Sequence, residues 1–521
     1  WIGEIQWMRR NGFDVSKRPI LRPLDTIECR DAILAPDGSE PKWPEADAII
    51  GNPPFLGSGL MRQYLGDRYV DTLRGLYAGQ LPGGADLVCY WFAKAWDCIA
   101  QGSAKATGLV ATNSIRGGAN RHVLDRIVEH GNIYEAWDDE PWVVEGAAVR
   151  VSLVAFAQAS HAHQPRLDGT PVSVIYANLS SGSVDITKAQ RLPENSDTCF
   201  EGMKKYGAFD VEGPVARDWL SAPLNPNGRP NHDVLKPWIN GMDITRRPSD
   251  TWVIDFHGLT EFEAAFYEQP FRYAREHVKP VREKDRNQHT RLHWWLFQRT
   301  RPDLRKGLER LDRYIVTPVV AKHRIFVFVD ARVLPANLAD AITRQDDTTF
   351  GILHSRFHER WAIRLGTWLG KGNDPRYTPT TTFETFPFPS GLTPDIPASD
   401  YASDPRAQSI AEAARKLNDQ REAWLNPPDL VKREPEVVEG YPERIIPVDE
   451  KAEKELKKRT LTKLYNERPT WLDNAHRELD RAVAAAYGWP EDISGEDALA
   501  RLMKLNEERR VQHAEVSTAA E

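Results

Sequence analysis

Apolar positions in the first 160 residues fall into short runs that alternate with longer amphipathic stretches. The short runs predict strands at residues 26–29, 46–50, 108–112 and 149–157, and the longer stretches predict helices at 86–100 and 121–130. Strands that alternate with helices are typical of a doubly wound α/β fold. The last run, AAVRVSLVAFAQ, is expected to form a terminal hairpin strand of this sheet.

The pattern changes after residue 160. Residues 161–390 are rich in Pro, Asn and Gly and predict a mixed α/β domain with short strands, with a helical stretch at 350–369. A Pro-, Ser- and Asp-rich linker at 391–405 opens a helical region at 391–521. A charged insertion at 430–460 within that region is expected to be solvated. We therefore predict three parts, at 1–160, 161–390 and 391–521.

Composition places the chain among ordinary globular proteins, with 41% hydrophobic and 27% charged residues. No apolar run approaches the roughly 18 residues of a membrane span, and no signal peptide opens the chain. Cytoplasmic location is the expectation. The four cysteines contain no CxxC pair, so we expect reduced thiols rather than a metal site or disulfides.

Charge is distributed unevenly along the chain. The formal net charge is −7, yet residues 271–330 hold 15 Lys/Arg against 7 Asp/Glu. Because cations interleaved with aromatic side chains suit a nucleic-acid groove, we expect double-stranded DNA as a partner of this segment. The candidate contacts are Arg286, Arg291, Arg299 and Lys322. The alternative is a solvated helix face, with Trp294 and Trp295 in the core.

The strongest chemical signal is the run Asn52-Pro53-Pro54-Phe55, which directly follows the apolar run DAII and Gly51. Ligand sites in open α/β sheets lie at the carboxyl ends of strands, where this run is predicted to be. The Asn52 side-chain oxygen and the Pro53 carbonyl can accept hydrogen bonds from the two N–H groups of an amine. That arrangement localises the nitrogen lone pair, which can then attack a methyl sulfonium.

The prolines and the aromatic residue complete this interpretation. Pro53 and Pro54 fix the backbone, so the two acceptors need no ordering during the reaction. Phe55 offers a flat apolar face on which an extruded base can stack. The alternative is a plain proline turn after a strand. The chain holds a second copy, Asn426-Pro427-Pro428-Asp429, which no predicted strand precedes, and we interpret it as a helix-ending turn.

Two further patterns are weaker. His354 and His358 stand four residues apart on a predicted helix, a spacing that can chelate a metal, but no third ligand is evident. We expect both to be satisfied surface residues. The run PPDLVKREPEV lacks the strand frame and the ExK of a nuclease motif, so we expect no nuclease site in it.

The order of segments resembles the gamma-class N6-adenine DNA methyltransferases, and in particular the MmeI-type restriction–modification and phage-defence methylases. GNPPF resembles their motif IV, and IECRDAIL resembles motif III, in which Asp31 matches the polar residue near the cofactor's adenine. ADLVCYWFAKAWDCI, GLVATNSIRGG and AAVRVSLVAFA are similar to motifs V, VI and VIII. TFGILHSRFHERWA and YTPTTTFETFPFP resemble the end of the group's target-recognition region.

This resemblance implies a partial Rossmann-like methyltransferase sheet, a target-recognition domain and a C-terminal helical region. It implies methyl transfer from S-adenosylmethionine to the N6 amine of adenine in a specific DNA sequence, with the base flipped onto the Asn52–Phe55 loop. Catalytic roles would belong to Asn52, Pro53, Pro54 and Phe55, and a cofactor contact to Asp31. Relatives often carry a nuclease domain before the methylase, so a restriction nuclease or another defence component is a possible partner.

The sequence departs from the family upstream of motif III. The glycine-rich motif I and the acidic motif II should precede Asp31, but the 30 residues before it contain neither. The chain begins with WIGEIQWMRRNGF, which has the spacing of a helix end, so we expect a fragment of a longer protein. Two alternatives therefore stay open: a DNA-binding specificity fragment without its own catalysis, and a protein glutamine N5-methyltransferase.

Overall fold

The computed structural model describes residues 27–144, 147–160, 164–181, 185–366, 368–369 and 374–520. Residues 1–26 lie outside these ranges, and with them lies the predicted helix end at the start of the chain. Within the described ranges, no helix combines the length and the apolar character needed to cross a membrane.

The first part of the chain forms an α/β sheet with helices packed on it. Its strands are β1 Ala46–Gly51, β2 Ala104–Thr112, β3 Gly131–Val144, β4 Ala147–Gln158, β5 Arg166–Leu167 and β6 Thr170–Pro171. Its helices are α1 Ser58–Leu65, α2 Asp67–Leu76, α3 Val88–Ala100 and α4 His122–His130, with 3₁₀ turns at Asn113–Arg116 and Gly118–Arg121. The strand order is β1-β2-β4-β3-β5-β6.

This sheet confirms most of the predicted elements. β1, β2, β4, α3 and α4 match the predicted runs to within a few residues. β1 and β2 run parallel, whereas β4 runs antiparallel to both β2 and β3, as a terminal hairpin strand should. Gly131 opens β3 where a side chain would collide with Trp96, since a Cβ there would lie 2.5 Å from that ring. The long strand β3 was not predicted.

The predicted strand at 26–29 is wrong in its described residues 27–29, which are irregular. Ile27 is 67% exposed, and none of the three pairs with another described strand. The run has few apolar residues, and they bury too little surface to hold a strand that has no partner strand.

The middle of the chain forms two four-stranded sheets, with strand orders β13-β9-β10-β8 and β12-β11-β14-β7. The strands are β7 Cys199–Glu201, β8 Asp210–Glu212, β9 Leu235–Ile239, β10 Thr251–Ile254, β11 Arg313–Pro318, β12 Val327–Asp330, β13 Leu334–Pro335 and β14 Ala339–Ile342. The helices are α5 Gly213–Leu220, α6 Gly241–Thr245, α7 Glu261–Ala265, α8 Glu268–His277, α9 Lys279–Arg282, α10 Gln288–Leu292 and α11 Pro302–Leu308. Short 3₁₀ turns lie at Ile186–Lys188, Pro193–Asn195 and Asn231–Asp233. This confirms the predicted mixed α/β texture.

The last part is mainly helical. Its helices are α12 Asp347–His354, α13 Arg356–Leu365, α14 Pro405–Leu425, α15 Glu450–Leu456, α16 Leu461–Glu467, α17 Thr470–Tyr487 and α18 Gly495–Ala520. A π-helical turn covers Pro379–Phe383, and strand pairs form between β15 Trp368–Leu369 and β16 Asp374–Pro375 and between β17 Val431–Glu434 and β18 Arg444–Pro447.

Three apolar cores hold the chain together. One lies under the first sheet, with members from Ile33 to Leu179, and a second lies between the sheets of the middle part, from Met203 to Ala341. The third joins Phe350 and Phe386 to residues of the C-terminal helices, among them Leu417 and Leu479. The helices after residue 391 therefore pack directly on the segment at 350–388. The boundaries at 160 and 390 stay predictions.

The predicted helix at 350–369 is wrong at two points. Ser355 interrupts it, because its side chain caps α13 by accepting from the His358 backbone N–H. Residues 368–369 form β15 instead of helix.

The two histidines of this segment are not surface residues as predicted. His354 is 4% and His358 is 0% exposed, because α12 and α13 lie inside the third core. His354 Nε2 accepts from Arg421 Nη1 at 2.8 Å and from the Phe326 N–H at 3.2 Å. Burial lowers the pKa of His358 to about 3. Both rings are therefore neutral hydrogen-bonding members of the core.

The charged insertion at 430–460 is also not simply solvated. It contains the β17–β18 pair, and its Glu436 side chain is only 3% exposed, beside Arg217 at 3.0 Å. Tyr441 packs on Trp252 with ring centroids 5.5 Å apart. The insertion thus docks on the middle part of the chain through one buried ion pair and one aromatic contact.

Candidate active site

The Asn52–Phe55 loop begins where β1 ends, as the sequence predicted. β1 pairs in parallel with β2 from Ala46 to Gly51, so Asn52 leaves the sheet at the carboxyl end of the strand. The Asn52 side chain is exposed and bonds to none of the described residues. Pro53 is buried, and Phe55 is half-buried. The loop therefore presents a free amide oxygen beside a partly open aromatic face.

Asp86 and Leu87 form hydrogen bonds to the residues that directly follow the loop. The Ser58 backbone N–H donates to Asp86 Oδ1 at 2.8 Å, and the Leu87 N–H donates to the Leu56 carbonyl at 2.9 Å. These two bonds join the residues just after Phe55 to the start of α3. They fix the loop to a helix that has nine buried side chains along its length.

Asp86 also binds the segment that follows β2. Its Oδ2 accepts from Asn120 Nδ2 at 2.6 Å and from Ser114 Oγ at 3.1 Å, while its own N–H donates to Asn120 Oδ1 at 2.7 Å. The Asn120 amide also donates to Ser114 Oγ at 3.0 Å. We call Ser58, Asp86, Ser114 and Asn120 the Asp86 network. It ties the carboxyl ends of β1 and β2 together through one carboxylate.

Ser114 was predicted only as part of the motif GLVATNSIRGG, and neither Asp86 nor Asn120 was predicted to be a site residue. Asp86 stands immediately before the apolar run of α3, where an acid is usual at a helix start. That ordinary explanation hid its contacts with Ser58 and Asn120, which are 28 and 34 residues away along the chain.

Asp31 was predicted to follow the strand at 26–29, and this part of the prediction is wrong, because residues 27–29 are irregular. Its Oδ1 accepts from the N–H groups of Ile33 and Leu34 at 2.9 and 3.0 Å, which makes it the cap of a turn. Tyr69 donates its hydroxyl to Oδ2 at 2.7 Å. Burial and this contact raise the pKa of Tyr69. Asp31 is thus fixed in orientation by α2, with lone pairs left for another donor.

The four predicted DNA contacts are exposed but do not form one cluster of free cations. Arg299 lies 3.4 Å from Glu201, and Lys322 Nζ donates to Asn466 at 2.7 Å. Arg291 donates to the carbonyl of Asp285 at 2.8 Å, and Arg286 is exposed nearby. Trp294 and Trp295 are buried, as the alternative interpretation of this segment expected.

A cleft of about 1070 Å³ lies between the Asp86 network and the C-terminal helices, and we call it the central cleft. One wall carries the Asp86 network together with Asn113 and Arg116. The other wall carries Arg360 and Arg364 of α13, Arg376, and Glu496 of α18. Within the predicted recognition region at 161–390, the lining residues are Asn178 and residues between 359 and 376, and none comes from the basic segment at 271–330.

Two models of one protein family match the chain. The family model described as "MmeI, DNA-methyltransferase domain" matches residues 27–167, and "MmeI, target recognition domain" matches residues 234–390. No curated protein matches the chain.

Among solved structures, the type IIL restriction–modification enzyme MmeI in complex with DNA is similar, with a TM-score of 0.67 and 19% identity. That match covers 89% of this chain and 57% of the MmeI chain, so this chain spans little more than half of that enzyme's length. The type IIG restriction endonuclease BpuSI matches over 87% of this chain and 55% of its own, at 10% identity and a TM-score of 0.25, which supports no argument.

Proposed function

This chain belongs to the MmeI-type methylases, and from that premise we propose that it methylates the N6 amine of adenine in a specific DNA sequence. The methyl donor in this proposal is S-adenosylmethionine. The observation that carries the proposal is the Asn52–Phe55 loop, which presents an unbonded amide oxygen at the carboxyl end of β1.

The chemistry of an exocyclic amine explains why this loop suits it. The amine lone pair is delocalised into the ring until two acceptors draw its N–H groups toward a pyramidal arrangement. The Asn52 side-chain oxygen and the Pro53 carbonyl are the two acceptors. Because β1 and the two prolines hold both in place, little reorganisation is needed as positive charge develops on the nitrogen.

Phe55 positions the base. A base must leave the duplex to reach the loop, and this costs a few kcal/mol of lost stacking and pairing. The half-buried ring of Phe55 offers a surface for the extruded base to stack on. The Asp86 network, through Ser58, holds the backbone immediately after this ring.

The donor's site is only partly supplied by the described residues. Asp31 fits one part of it, because its carboxylate is held by two backbone N–H groups and Tyr69 and retains free lone pairs for an adenine amine or a ribose hydroxyl. When bound, S-adenosylmethionine supplies an electrophilic methyl group on sulfur. Asn52 and Pro53 orient the attacking nitrogen, and Phe55 helps to exclude water from it.

DNA is the partner in this proposal. The target recognition domain match at 234–390 supports it against a protein glutamine substrate. Arg286, Arg291, Arg299 and Lys322 remain proposed contacts of that domain, and their effect should be sensitive to salt. A restriction–modification role, a nuclease partner or nuclease domain, and a cytoplasmic location belong to the same proposal.

The test is methyl incorporation from labelled S-adenosylmethionine into unmethylated double-stranded DNA, followed by digestion to nucleosides. We expect label in N6-methyl-2′-deoxyadenosine. Label in N4-methyl-2′-deoxycytidine would reject the adenine assignment, and label in glutamine of added protein would reject the DNA assignment. If the protein binds DNA but incorporates no methyl group, the specificity-fragment alternative is correct.

A further inference from the structure

The two walls of the central cleft carry different kinds of charge. On the wall that carries the Asp86 network, Arg116 lies 3.0 Å from Asp138, and Asp86 accepts three hydrogen bonds from Ser58, Ser114 and Asn120. On the opposite wall Arg364 lies 3.0 Å from Glu496. Arg360 and Arg376 are exposed, and neither is within ion-pair distance of an acid in the described ranges.

The second wall also carries a carboxylate, that of Glu359. Glu359 lines the cleft beside Arg360 and is half-buried, and this burial raises the pKa of its carboxyl. Even with Glu359 fully ionised, this wall carries two guanidinium groups and one carboxylate that have no ion-pair partner in the described ranges. The excess positive charge therefore lies on the wall opposite the Asp86 network.

The wall that carries the Asp86 network leaves room for a ligand. Gly84, Gly117 and Gly118 line it, and a Cβ built on Gly118 would meet no atom within 4 Å. A narrow anionic chain can therefore pass between this wall and the two arginines. Arginine suits that role, since its planar guanidinium binds phosphate oxygens in pairs and stays charged.

We propose that Arg360 and Arg376 bind the phosphodiester backbone of the DNA strand whose base is held at the Asn52–Phe55 loop. This inference rests on the proposed function and adds a contact site outside the basic segment at 271–330. Ser58, Asp86, Ser114 and Asn120 line the cleft, so a strand there lies beside the network that holds the catalytic loop. Its charge-assisted contacts offset part of the cost of extruding the base.

The test measures binding of a fluorescent 30-bp duplex at several salt concentrations. The variants are Arg360→Gln with Arg376→Gln, and the matched charge-preserving pair Arg360→Lys with Arg376→Lys. Arg510→Gln is the control for charge loss alone, because this exposed arginine lies about 21 Å further along α18 from Glu496. Thermal melting of each variant reports on folding.

We expect the double glutamine variant to bind duplexes of different sequence uniformly more weakly. The slope of log K against log salt should become shallower by about 1 for each arginine, while the lysine pair keeps most of the slope. An unchanged slope in the double glutamine variant would overturn the inference. If its melting temperature is also lowered, the two arginines have a structural role instead. If the wild type methylates DNA but the glutamine variant keeps the wild-type slope, this inference fails and the proposed function stands. If the wild type binds no DNA, both this inference and the proposed function are rejected.

Discussion

The chain contains Asn-Pro-Pro twice, and the two copies lie in opposite surroundings. At Asn52 the tripeptide leaves a parallel strand, the amide is exposed, and no described residue donates to the Pro53 carbonyl. At Asn426 it ends α14. There the amide donates to Glu422 at 3.0 Å, and the Pro427 carbonyl accepts from Leu430 and Val431 at 2.9 and 3.2 Å.

The difference shows what the tripeptide contributes by itself. In both copies it supplies a rigid backbone with one side-chain and one main-chain acceptor. At the helix end the Pro427 carbonyl closes a turn, as the sequence predicted for the second copy, and the Asn426 side-chain oxygen is buried without a hydrogen-bond partner in the described ranges. At the strand end both acceptors stay open toward a ligand, so the surrounding element decides whether the same three residues can do chemistry.

The largest expected effect comes from removing the side-chain amide of Asn52, with the same change at Asn426 as the comparison. Asn52→Ala should lower the rate of methyl incorporation by about 10²–10³ or more, because one preorganised acceptor is lost. DNA affinity should stay near that of the wild type. Asn426→Ala is the matched control and should leave the rate per folded molecule nearly unchanged. Near-normal turnover of Asn52→Ala would remove the distinction between the copies.

The residue that follows each tripeptide sharpens the comparison. Phe55→Ala should lower kcat/KM by roughly 5- to 150-fold, because a stacked base contributes about 1–3 kcal/mol. Phe55→Tyr keeps the ring and should stay close to the wild type. Asp429→Ala, at the corresponding position of the second copy, should have no effect on kcat/KM. Equal losses in the alanine and tyrosine variants would argue against stacking.

The Asp86 network gives a smaller effect with a stronger control. Asp86→Asn keeps an acceptor for the Ser58 N–H but turns an amide toward the Asn120 amide, so the loop should shift and kcat should fall about tenfold. The KM for DNA should change little. The double variant Asp86→Asn with Asn120→Asp restores donor to acceptor across this pair and should recover most of kcat. If the double variant is as slow as the single one, Asp86 acts through its charge and not through position.

Much of the fold could be predicted because the spacing of apolar residues along the sequence is visible within each single helix or strand. β1, β2, β4, α3 and α4 were all found this way, and β1 ends directly before Asn52 as predicted. The catalytic role of the loop stays a prediction. The strand at 26–29 was wrong because a short apolar run forms a strand only with a neighbour to pair with. β3 was missed because its charged and aromatic residues do not alternate simply.

The remaining features of the site depend on contacts between distant segments. Asp86 meets Ser58 and Asn120 only after β1, β2 and α3 have packed, and no local pattern reports that meeting. Arg360 and Arg376 lie outside the segment with the largest positive charge, so counting charges along the chain pointed elsewhere. His354 and His358 looked like surface residues because their spacing suits an exposed helix face as well as a buried one.

The smallest predicted effect concerns the frame that holds the second copy. Arg421 of α14, five residues before Asn426, donates to His354, and His476 accepts or donates a hydrogen bond with Tyr465 at 3.1 Å. Burial lowers the pKa of His476 to about 3, and burial lowers that of His354 well below its usual value. Protons therefore bind these two histidines in the unfolded chain first, so their contribution to stability is complete above pH 6.5 and is lost as the pH falls below it. Each such histidine should lower the free energy of unfolding by about 1 kcal/mol per pH unit in that window.

Denaturant unfolding at pH 7.5, 6.5 and 5.5 measures this pH dependence. His476→Gln is expected to reduce its slope by the contribution of one histidine. The exposed His122→Gln is the control and should leave the wild-type slope, whereas a His476→Gln curve as steep as the wild type would show that this ring is not among the groups that resist protonation in the fold.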